Sequence, residues 1–400
     1  MKTYPTYKDS GVDWLGKIPK DWKTKRSKFL WTEITNLSEE GNEQLLSVSQ
    51  YDGVKTNENE SRSENLIGYK KVSKDNLVTN IMLAWLGGLG ISNFNGVVSP
   101  AYSIYKASNE ISPRFTHYLY RTKIYLDEFA RRSSGVVPSR WRMYTDDFGE
   151  VRTILPPKPE QQAIANFLDE TCRKLDTVVA QKEKMIALLK ERKQALIQKA
   201  VTRGLNENVP MKDSGVDWIG DIPENWEVKA LKFICNLKSG EFISSEDFKE
   251  DGYPVYGGNG FRAYSETYTN QGFYALIGRQ GALCGNVNYA RGKFYATEHA
   301  VVVYPINGED TLWLGETIKT ANFNRLSQSA AQPGIAVGII KNERFPYPPL
   351  PEQKKIADYI EAQSQKIDQA VRQQEQTIVK LKEYKASLID SCVLGKIKVS

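Results

Sequence analysis

Two stretches of the chain carry apolar residues at intervals of three and four and contain neither glycine nor proline. They run from Gln161 to about Thr202 and from Gln353 to about Leu394. At ~1.5 Å of rise per residue, each would form a helix on the order of 65 Å long, far longer than an average globular helix. A narrow apolar stripe on so long a helix needs a partner helix. The pattern therefore predicts two coiled-coil helices with Pro159 and Pro351 in their first turns, where proline is tolerated.

These two stripes are expected to pair with each other. The inward-facing positions are Ile164, Leu168, Leu175, Val179, Ile186, Leu189 and Leu196 in the first helix and Ile356, Ile360, Ile367, Val371, Ile378, Leu381 and Leu388 in the second. Only about ten residues follow the first helix before a new globular segment begins, and that segment leads directly into the second helix. This connectivity predicts an antiparallel pair. Two separate dimerisation coils are the alternative.

The segments 31–150 and 235–345 have a different pattern. They are rich in Gly, Tyr, Val and Ile, and turn signals follow one another at short intervals, which is typical of compact domains built of strands with some helix. The expected elements include strands at Gly96–Tyr105 and Ala300–Tyr304 and helices at Pro113–Arg131 and Thr311–Leu326.

The chain also contains two copies of one pair of sequence motifs. Lys8–Phe29 and Lys212–Phe233 are identical at 14 of 22 aligned positions, and PPKPEQQAIANFLDE from Pro156 matches PPLPEQKKIADYIEA from Pro348. Between these markers the copies share little, which indicates a common frame around two different reading surfaces. We therefore predict an α+β fold: two mixed α/β domains separated by two long antiparallel coiled-coil helices, with an internal pseudo-twofold repeat. The predicted ranges are 1–155 for the first domain, 156–203 for the first helix, 204–347 for a linker and the second domain, and 348–400 for the second helix.

Composition narrows the function classes only mildly. The 400 residues are 40% hydrophobic and 26% charged, with a net charge of +6, which is compatible with an anionic partner without proving one. The four cysteines are widely spaced and lack metal-binding patterns, so we expect reduced, mostly buried thiols. The first residues include no apolar signal segment and no apolar run approaches a membrane span. A cytoplasmic location is expected.

The motifs of common enzymes are missing from the sequence. No phosphate-binding GxxxxGK[ST] loop occurs, Gly87-Gly88-Leu89-Gly90 does not have dinucleotide-binding spacing, and no amino-methyltransferase motif is present. His117 and His299, the only histidines, have no neighbouring metal-ligand pattern and are expected to be structural. We therefore expect a chain without catalytic residues, resident metal or cofactor of its own.

Two sets of residues are predicted to contact nucleic acid. In the first middle segment, arginines and serines crowd within RRSSGVVPSRWR, and a lysine pair precedes them; these candidates are Lys70, Lys71, Arg131, Arg132, Ser133, Ser134, Ser139, Arg140 and Arg142. In the second, glycine-rich turns adjoin Arg and Gln; these candidates are Gly258, Asn259, Arg262, Tyr264, Arg279, Gln280, Gln328 and Gln332. Arginine offers rigid donor forks to phosphate and guanine, and hydroxyls reach phosphates. Ordinary solvated loops are the alternative for any single residue.

These motifs together resemble the specificity subunit of type I restriction-modification systems. The similarity rests on the repeated KDSGVDWxGxIPxxW leader and the PPxPEQ helix starts. It extends to LLSVSQYDGV (Leu45–Val54) and SPAYSIY (Ser99–Tyr105) in the first middle, and to YPVYGGNG (Tyr253–Gly260), IGRQGALCGNV (Ile277–Val287) and ATEHAVVV (Ala296–Val303) in the second.

The resemblance implies two target-recognition domains, held apart by the antiparallel helices, that read double-stranded DNA at a bipartite asymmetric site. It implies that two modification subunits, which use S-adenosylmethionine, dock on the helices, and that ATP-dependent restriction subunits join in some systems. The subunit itself would do no chemistry. Three rival functions stay open: a self-sufficient DNA enzyme, a coiled-coil scaffold for proteins only, and a standalone DNA-binding specificity protein without partners.

Overall fold

The computed structural model describes residues 2–57, 65–137, 141–281, 283–326 and 334–399. The chain divides into two compact units: unit 1 comprises 1–182 and 376–400, and unit 2 comprises 183–375. This division cuts through both long helices, so each unit contains one mixed domain and half of each helix. The four predicted ranges follow the secondary-structure elements instead.

Unit 1 contains twelve strands among its described residues. They are β1 (Tyr7–Asp9), β2 (Lys17–Pro19), β3 (Lys23–Arg26), β4 (Trp31–Glu33), β5 (Leu46–Ser49), β6 (Gly53–Thr56), β7 (Lys70–Val72), β8 (Leu77–Asn80), β9 (Leu89–Ile91), β10 (Gly96–Val98), β11 (Tyr102–Ala107) and β12 (Arg152–Leu155). A four-stranded sheet in the order β4-β11-β8-β9 is joined by the pairs β1-β2, β3-β12, β5-β6 and β7-β10. The expected strand Gly96–Tyr105 is thus two strands, β10 and β11, which pair with different partners.

Three short helices complete this unit, together with most of one cluster of buried apolar side chains. The helices are α1 (Pro113–Leu119), α2 (Lys123–Arg132) and α3 (Thr145–Gly149), followed by the first long helix, α4 (Lys158–Arg203). The single helix expected over Pro113–Arg131 is therefore wrong. The chain breaks at Thr122, whose hydroxyl donates to the Leu119 carbonyl at 2.8 Å. Buried Phe115, Tyr120, Tyr125 and Phe129 form the core beside α4.

Unit 2 has one dominant sheet. Its strands are β13 (Met211–Asp213), β14 (Asp221–Pro223), β15 (Glu227–Ala230), β16 (Cys235–Ser239), β17 (Tyr253–Gly257), β18 (Gly260–Ser265), β19 (Asn270–Gly278), β20 (Val287–Ala296), β21 (Ala300–Pro305) and β22 (Arg344–Tyr347). Six of them form a sheet in the order β16-β21-β19-β20-β17-β18, and β13-β14 and β15-β22 pair separately. The strand predicted at Ala300–Tyr304 is confirmed as β21.

The helices of unit 2 are α5 (Thr311–Thr320), α6 (Val337–Ile340) and the second long helix, α7 (Leu350–Val393). The helix expected over Thr311–Leu326 ends six residues early. Asn322 adopts a left-handed backbone with φ of 49°, which terminates helices, and a 3-10 turn follows it. Both long helices were predicted correctly, and each begins three residues before its predicted start.

The repeat is visible as a shared frame. β3 pairs with β12 and β15 pairs with β22, in both cases antiparallel over four residues. In each unit the leader tryptophan is fully buried and its indole N–H donates to the first-turn glutamate of the long helix at 3.0 Å: Trp22 to Glu160, and Trp226 to Glu352. The carboxylate also suits the positive end of the helix dipole. These contacts tie each leader to the start of its helix.

The long helices pair antiparallel within each unit. In unit 1, Cys172 lies near Cys392, and the Asp176 carboxylate accepts from Lys385 at 2.6 Å. In unit 2, Lys193 donates to Asp368 at 2.7 Å. Residue numbers rise along one helix as they fall along the other, so the antiparallel pairing inferred from connectivity is confirmed.

The residues expected on the helix stripe are all buried or half-buried. Eight are buried, namely Ile164, Leu168, Ile356, Ile360, Ile367, Val371, Ile378 and Leu388. Six are half-buried, namely Leu175, Val179, Ile186, Leu189, Leu196 and Leu381. Gln374, in phase with them, has a side-chain oxygen that is buried without a hydrogen-bond partner among the described residues. No helix in the described part of the chain is both long and apolar enough to cross a membrane.

The four cysteines are free and buried, as expected. Burial raises the pKa of the Cys235 thiol to about 12 and that of Cys392 to about 11. These thiols are therefore protonated at neutral pH and unsuited to nucleophilic chemistry.

Candidate nucleic-acid interface

The second set of candidates gathers around one hairpin of unit 2. β17 and β18 pair so that Gly257 faces Gly260, which leaves Gly258 and Asn259 as a two-residue turn. Glycine at the first of the two turn positions favours such tight hairpins. The hairpin lies at the edge of the sheet, because β18 is its last strand. Its tip presents Phe261, which is 53% exposed.

This hairpin lines an open cleft of about 470 Å³. The lining residues are Gly258, Asn259, Gly260, Phe261, Arg262, Gln280, Gly281 and His299. Four of the predicted residues, Gly258, Asn259, Arg262 and Gln280, are thus brought together from strands that are distant in sequence. A guanidinium, two amide side chains and an exposed ring converge here, and these groups suit base edges and base faces.

Close backbone contact fixes the position of the hairpin turn. A Cβ atom on Gly278 would lie 1.9 Å from the Gly258 carbonyl oxygen, so only glycine fits at the end of β19. The same end carries Arg279 and Gln280, whose loop bridges to Gly334. The first glycine of IGRQG, Gly278, is therefore required by packing, whereas Gly281 is required by its positive φ of 88°.

Two further candidates in this unit occupy different settings. The Arg279 side chain turns inward: its Nη1 donates to the Ser239 hydroxyl at 3.2 Å, and its Nε is buried without a partner in the described structure. Tyr264 is half-buried and packs edge-on against Phe261, with ring centroids 5.1 Å apart. Tyr264 therefore supports the exposed ring. Gln328 and Gln332 lie outside the described residues.

His299, which was expected to be structural, was not among the predicted binding residues. It is half-exposed at the cleft, with Nε2 3.0 Å from the Glu298 carboxylate. Its neighbour Thr297, in a turn that follows β20, is buried. No spacing rule marks such a histidine, because the fold alone brings it beside the hairpin.

The paired arginines of unit 1 are engaged in ion pairs. Arg131 donates from Nε and Nη2 to Glu128 at 2.6 and 2.8 Å, and Arg132 donates from Nε to the same carboxylate at 2.5 Å. Burial would raise the pKa of Glu128, yet these hydrogen bonds outweigh it and lower the pKa. The carboxylate is only 1% exposed, so it needs both cations. The side chain of Arg132 is 24% exposed and that of Arg131 63%.

The loop after these arginines is closed by its own backbone. Ser134 and Arg142 exchange both main-chain hydrogen bonds, at 3.0 and 2.9 Å, and Arg142 is exposed. The Ser133 hydroxyl donates to the Phe129 carbonyl at 2.8 Å and so caps α2. Ser139 and Arg140 lie outside the described residues. Arg142 is therefore the described arginine of this segment best placed for a ligand.

The lysine pair has structural contacts as well. Lys70 donates from Nζ to the Tyr102 carbonyl at 2.7 Å, which holds β7 against β11. Lys71 lies 3.3 Å from the Glu43 carboxylate and is 45% exposed. A hydrogen bond from Ser38, with Lys71 contributing further, lowers the pKa of Glu43. Lys71 is the more accessible of the two.

An aromatic surface beside this loop was not predicted. Trp141 packs edge-on against Trp85 at 5.3 Å, and Tyr51 is 80% exposed. The three aromatic residues line a cavity of about 750 Å³ with His117 and Arg121. Aromatic faces beside basic loops are suited to stacking on nucleobases.

Arg121 holds this surface in place. Its guanidinium donates to four backbone carbonyls, those of Gln50, Tyr51, Gly87 and Leu89, at 2.5–3.0 Å. The two carbonyls at 50–51 and the two at 87–89 belong to segments that are distant in sequence. One half-buried cation therefore ties these two segments together and helps to hold the exposed Tyr51 in place.

His117 is half-buried next to Arg121 and accepts a hydrogen bond from the Ile91 N–H at 3.4 Å. Burial, assisted by the positive charge of Arg121, lowers its pKa to about 4. The unfolded chain, with an ordinary histidine pKa near ~6.5, binds a proton that the folded chain excludes between these two values. We therefore expect unit 1 to lose about 3 kcal/mol of stability as the pH falls from 7 to 4.

Urea denaturation of the wild type and of H117Q at pH 7 and pH 4.5 measures this effect. H117Q should remove the histidine component, so the difference in unfolding free energy between the two proteins should change with pH. H299Q, which alters the half-exposed histidine, is the matched control. Parallel pH profiles for wild type and H117Q would contradict the assignment.

Metal-ligating groups do not cluster within the described ranges. The site is therefore built from donors, aromatic faces and main-chain turns. Such a surface can bind and discriminate a ligand.

Comparison with known proteins identifies related chains. Residues 223–378 match the family model described as the type I restriction modification DNA specificity domain. The EcoprrI specificity subunit of Escherichia coli is 41% identical over 134 residues, which cover 32% of this chain and 33% of that protein. The MjaVIII specificity subunit of Methanocaldococcus jannaschii is 25% identical over 63% of both chains. The chain thus aligns with a third of the first relative and just under two thirds of the second.

Solved structures share the fold over nearly the whole chain. A chain from work on complex assembly and conformational transition of the type I R-M system superposes with a TM-score of 0.74, at 15% identity, over 95% of this chain and 99% of its own length. The HsdS subunit of Thermoanaerobacter tengcongensis gives 0.55 at 17% identity, over 95% and 98%. The fold of two mixed domains with long helices is thereby confirmed, and residues 223–378 are similar to the type I restriction modification DNA specificity domain.

Proposed function

We propose that this chain reads a bipartite, asymmetric DNA site, one half-site with each unit, and brings two modification subunits to it. The observation that carries the proposal is the combination of one frame, built twice from the same contacts, with two unlike sheets. Two equivalent frames suit two copies of one partner, while two unlike surfaces suit two different sequences.

The chain would contribute recognition and no catalysis. S-adenosylmethionine would bind to the modification subunits, and ATP with magnesium to restriction subunits where these join. One of the solved structures with the same fold comes from work on complex assembly of a type I R-M system, which supports docking here. The long helices, exposed on their outer faces, are the proposed platform. The cytoplasm of a prokaryote, where DNA and both partners are accessible, is the proposed location.

Affinity and choice of sequence would come from different groups. Lys71, Arg142 and the net positive charge would supply phosphate contacts, which hold any DNA. Phe261, Arg262, Asn259 and Gln280 would read one half-site in unit 2. The loop at 133–142 and the aromatic surface around Tyr51 would read the other in unit 1.

The test is to map methylated adenines in DNA from cells that express the chain, a modification subunit of the same system, or both. Only the pair should methylate, and at one split sequence. Sequence-specific methylation by the chain alone would contradict the recognition role and favour a self-sufficient enzyme. If the chain together with its partner fails to bind DNA at every salt concentration, a scaffold for proteins only would be favoured.

Arg262 allows a sharper test of the cleft. We expect R262A to cost about 1–3 kcal/mol of binding free energy and to relax one base position if Arg262 reads a base, or to weaken all sequences alike if it contacts phosphate. Binding of the complex to its site and to single-base variants measures both. K319A, which alters a half-exposed lysine on α5, is the control. Unchanged affinity and selectivity in R262A would remove the hairpin from the interface.

A further inference from the structure

Each unit carries an exposed phenylalanine at the same position of the repeat. Phe29 is 57% exposed and Phe233 is 62% exposed. Both end a 3-10 turn that directly follows the frame strand, β3 in unit 1 and β15 in unit 2. Single exposed rings are common on protein surfaces, so these two are distinguished by their recurrence at the same place in both units and by the neighbours they share.

The preceding lysine has the same arrangement in both units. Lys28 Nζ lies 5.6 Å from the centre of the Phe29 ring and donates to the Glu150 carboxylate at 2.6 Å. Lys232 Nζ lies 5.3 Å from the Phe233 ring centre and donates to the Asn342 side chain at 3.2 Å. Glu150 and Asn342 occupy equivalent positions just before the second frame strand. Two separate segments thus build the same local surface in each unit.

Most other identical positions of the leader have a local structural reason. The Asp9 carboxylate accepts from the Gly11 N–H at 2.7 Å, and Asp213 accepts from Gly215 at 2.9 Å, in turns that require the positive φ of these glycines. The leader tryptophans are buried against their glutamates. The two phenylalanines have no comparable role, since neither ring enters an aromatic contact within the described parts of the chain.

The charge around the two rings is equal although the residues differ. In unit 1, Arg26 and Lys28 both contact Glu150, which leaves one net positive charge. In unit 2 the equivalent positions hold Ala230, Lys232 and Asn342, which also carry one net positive charge. Unit 2 lacks both the arginine and the carboxylate that unit 1 has at these positions. Each ring therefore lies beside residues that together carry one net positive charge.

We propose that these two surfaces, called the Phe–Lys patches (Phe29 with Lys28, and Phe233 with Lys232), each dock one copy of the modification subunit. The proposal rests on the proposed function and deepens it. The docking surface of the partner would be an apolar pocket with a carboxylate at its rim. DNA is the less suitable occupant, because the two units are expected to read different sequences while the patches are alike.

The test uses the full-length chain together with its modification subunit and counts the copies bound. Native mass spectrometry gives the stoichiometry, and titration gives each affinity. F29A and F233A should each retain one copy at wild-type affinity and bind the other on the order of tenfold to a hundredfold more weakly. The double variant should bind both copies weakly. K28E and K232E, which keep the rings, should weaken binding in the same pattern.

F242A is the matched control, since Phe242 is 76% exposed in unit 2 and lies outside the repeat. It should bind two copies as the wild type does. If the double variant F29A/F233A also binds two copies at wild-type affinity, the patches are not docking sites, whatever the outcome for the function. A double variant that keeps both copies and loses DNA affinity would assign the patches to DNA and overturn the proposal. A wild-type chain that binds no modification subunit would instead refute the proposed function.

Discussion

Replacing Trp22 by alanine is expected to destabilise unit 1 by about 3–5 kcal/mol, the range for truncating a buried large aromatic. The indole is fully buried, packs edge-on against Tyr4 at 5.6 Å, and donates to Glu160 in the first turn of α4. Its loss opens a cavity and removes one of the two donors to a carboxylate, which also accepts from the Tyr4 hydroxyl at 2.6 Å. The leader would then release the start of the helix.

The repeat supplies the matched experiment. W226A should act in the same way on unit 2, through Glu352, and hydrogen exchange followed by mass spectrometry can assign the loss of protection to one unit. W22F retains most of the volume and should cost about 1–3 kcal/mol, the penalty for the lost hydrogen bond. Equal loss of protection in both units from W22A alone, or a change below about 1 kcal/mol, would contradict this account of the frame.

The second large effect concerns sequence choice. If the proposed function holds, exchanging 31–150 for the equivalent segment of a type I specificity subunit should change one half of the methylated site completely and leave the other half intact. The structural reason is that the segment leaves and re-enters the frame at adjacent points. Arg26 faces Arg152 in the β3-β12 pair, and the Ser27 N–H donates to the Val151 carbonyl at 2.8 Å.

Mapping methylated adenines for the exchanged protein with its modification subunit measures this result. The reciprocal exchange of 235–343, bounded by Ala230 and Arg344 in the β15-β22 pair, is the control and should change the opposite half only. A site altered in both halves by one exchange would show that the two segments do not read independently. If the chimera is inactive but still binds both modification subunits, we would conclude that the donor segment does not pack correctly on α4.

Local features of the sequence were enough for the frame. The long helices followed from a three-four apolar period without glycine or proline, and their antiparallel pairing followed from the short connection after Arg203. These features act between near neighbours in the chain, where backbone geometry alone sets the outcome. The repeated motifs likewise indicated which family the chain resembles.

Some signals that the sequence did contain were overlooked. Arg131 and Arg132 lie three and four residues after Glu128, the spacing at which side chains meet on one face of a helix. The segment RRSSGVVPSRWR, considered on its own, begins at Arg131 and therefore leaves out the carboxylate with which its first two arginines pair. The break between α1 and α2 was similarly marked by Thr122, a residue type that favours helix starts.

The repeat, the long helices and the division into two unlike mixed domains could therefore be predicted from local patterns in the sequence. Which polar groups remain available for a ligand depends on the tertiary structure. The Arg279 side chain donates to Ser239, and the Arg121 guanidinium donates to four backbone carbonyls from two segments that are distant in sequence. His299 lies at the cleft beside Gly258. Periodicity reports the conformation of a segment, whereas the availability of a charged group depends on partners that long-range packing brings to it, and those partners leave no periodic trace in the sequence.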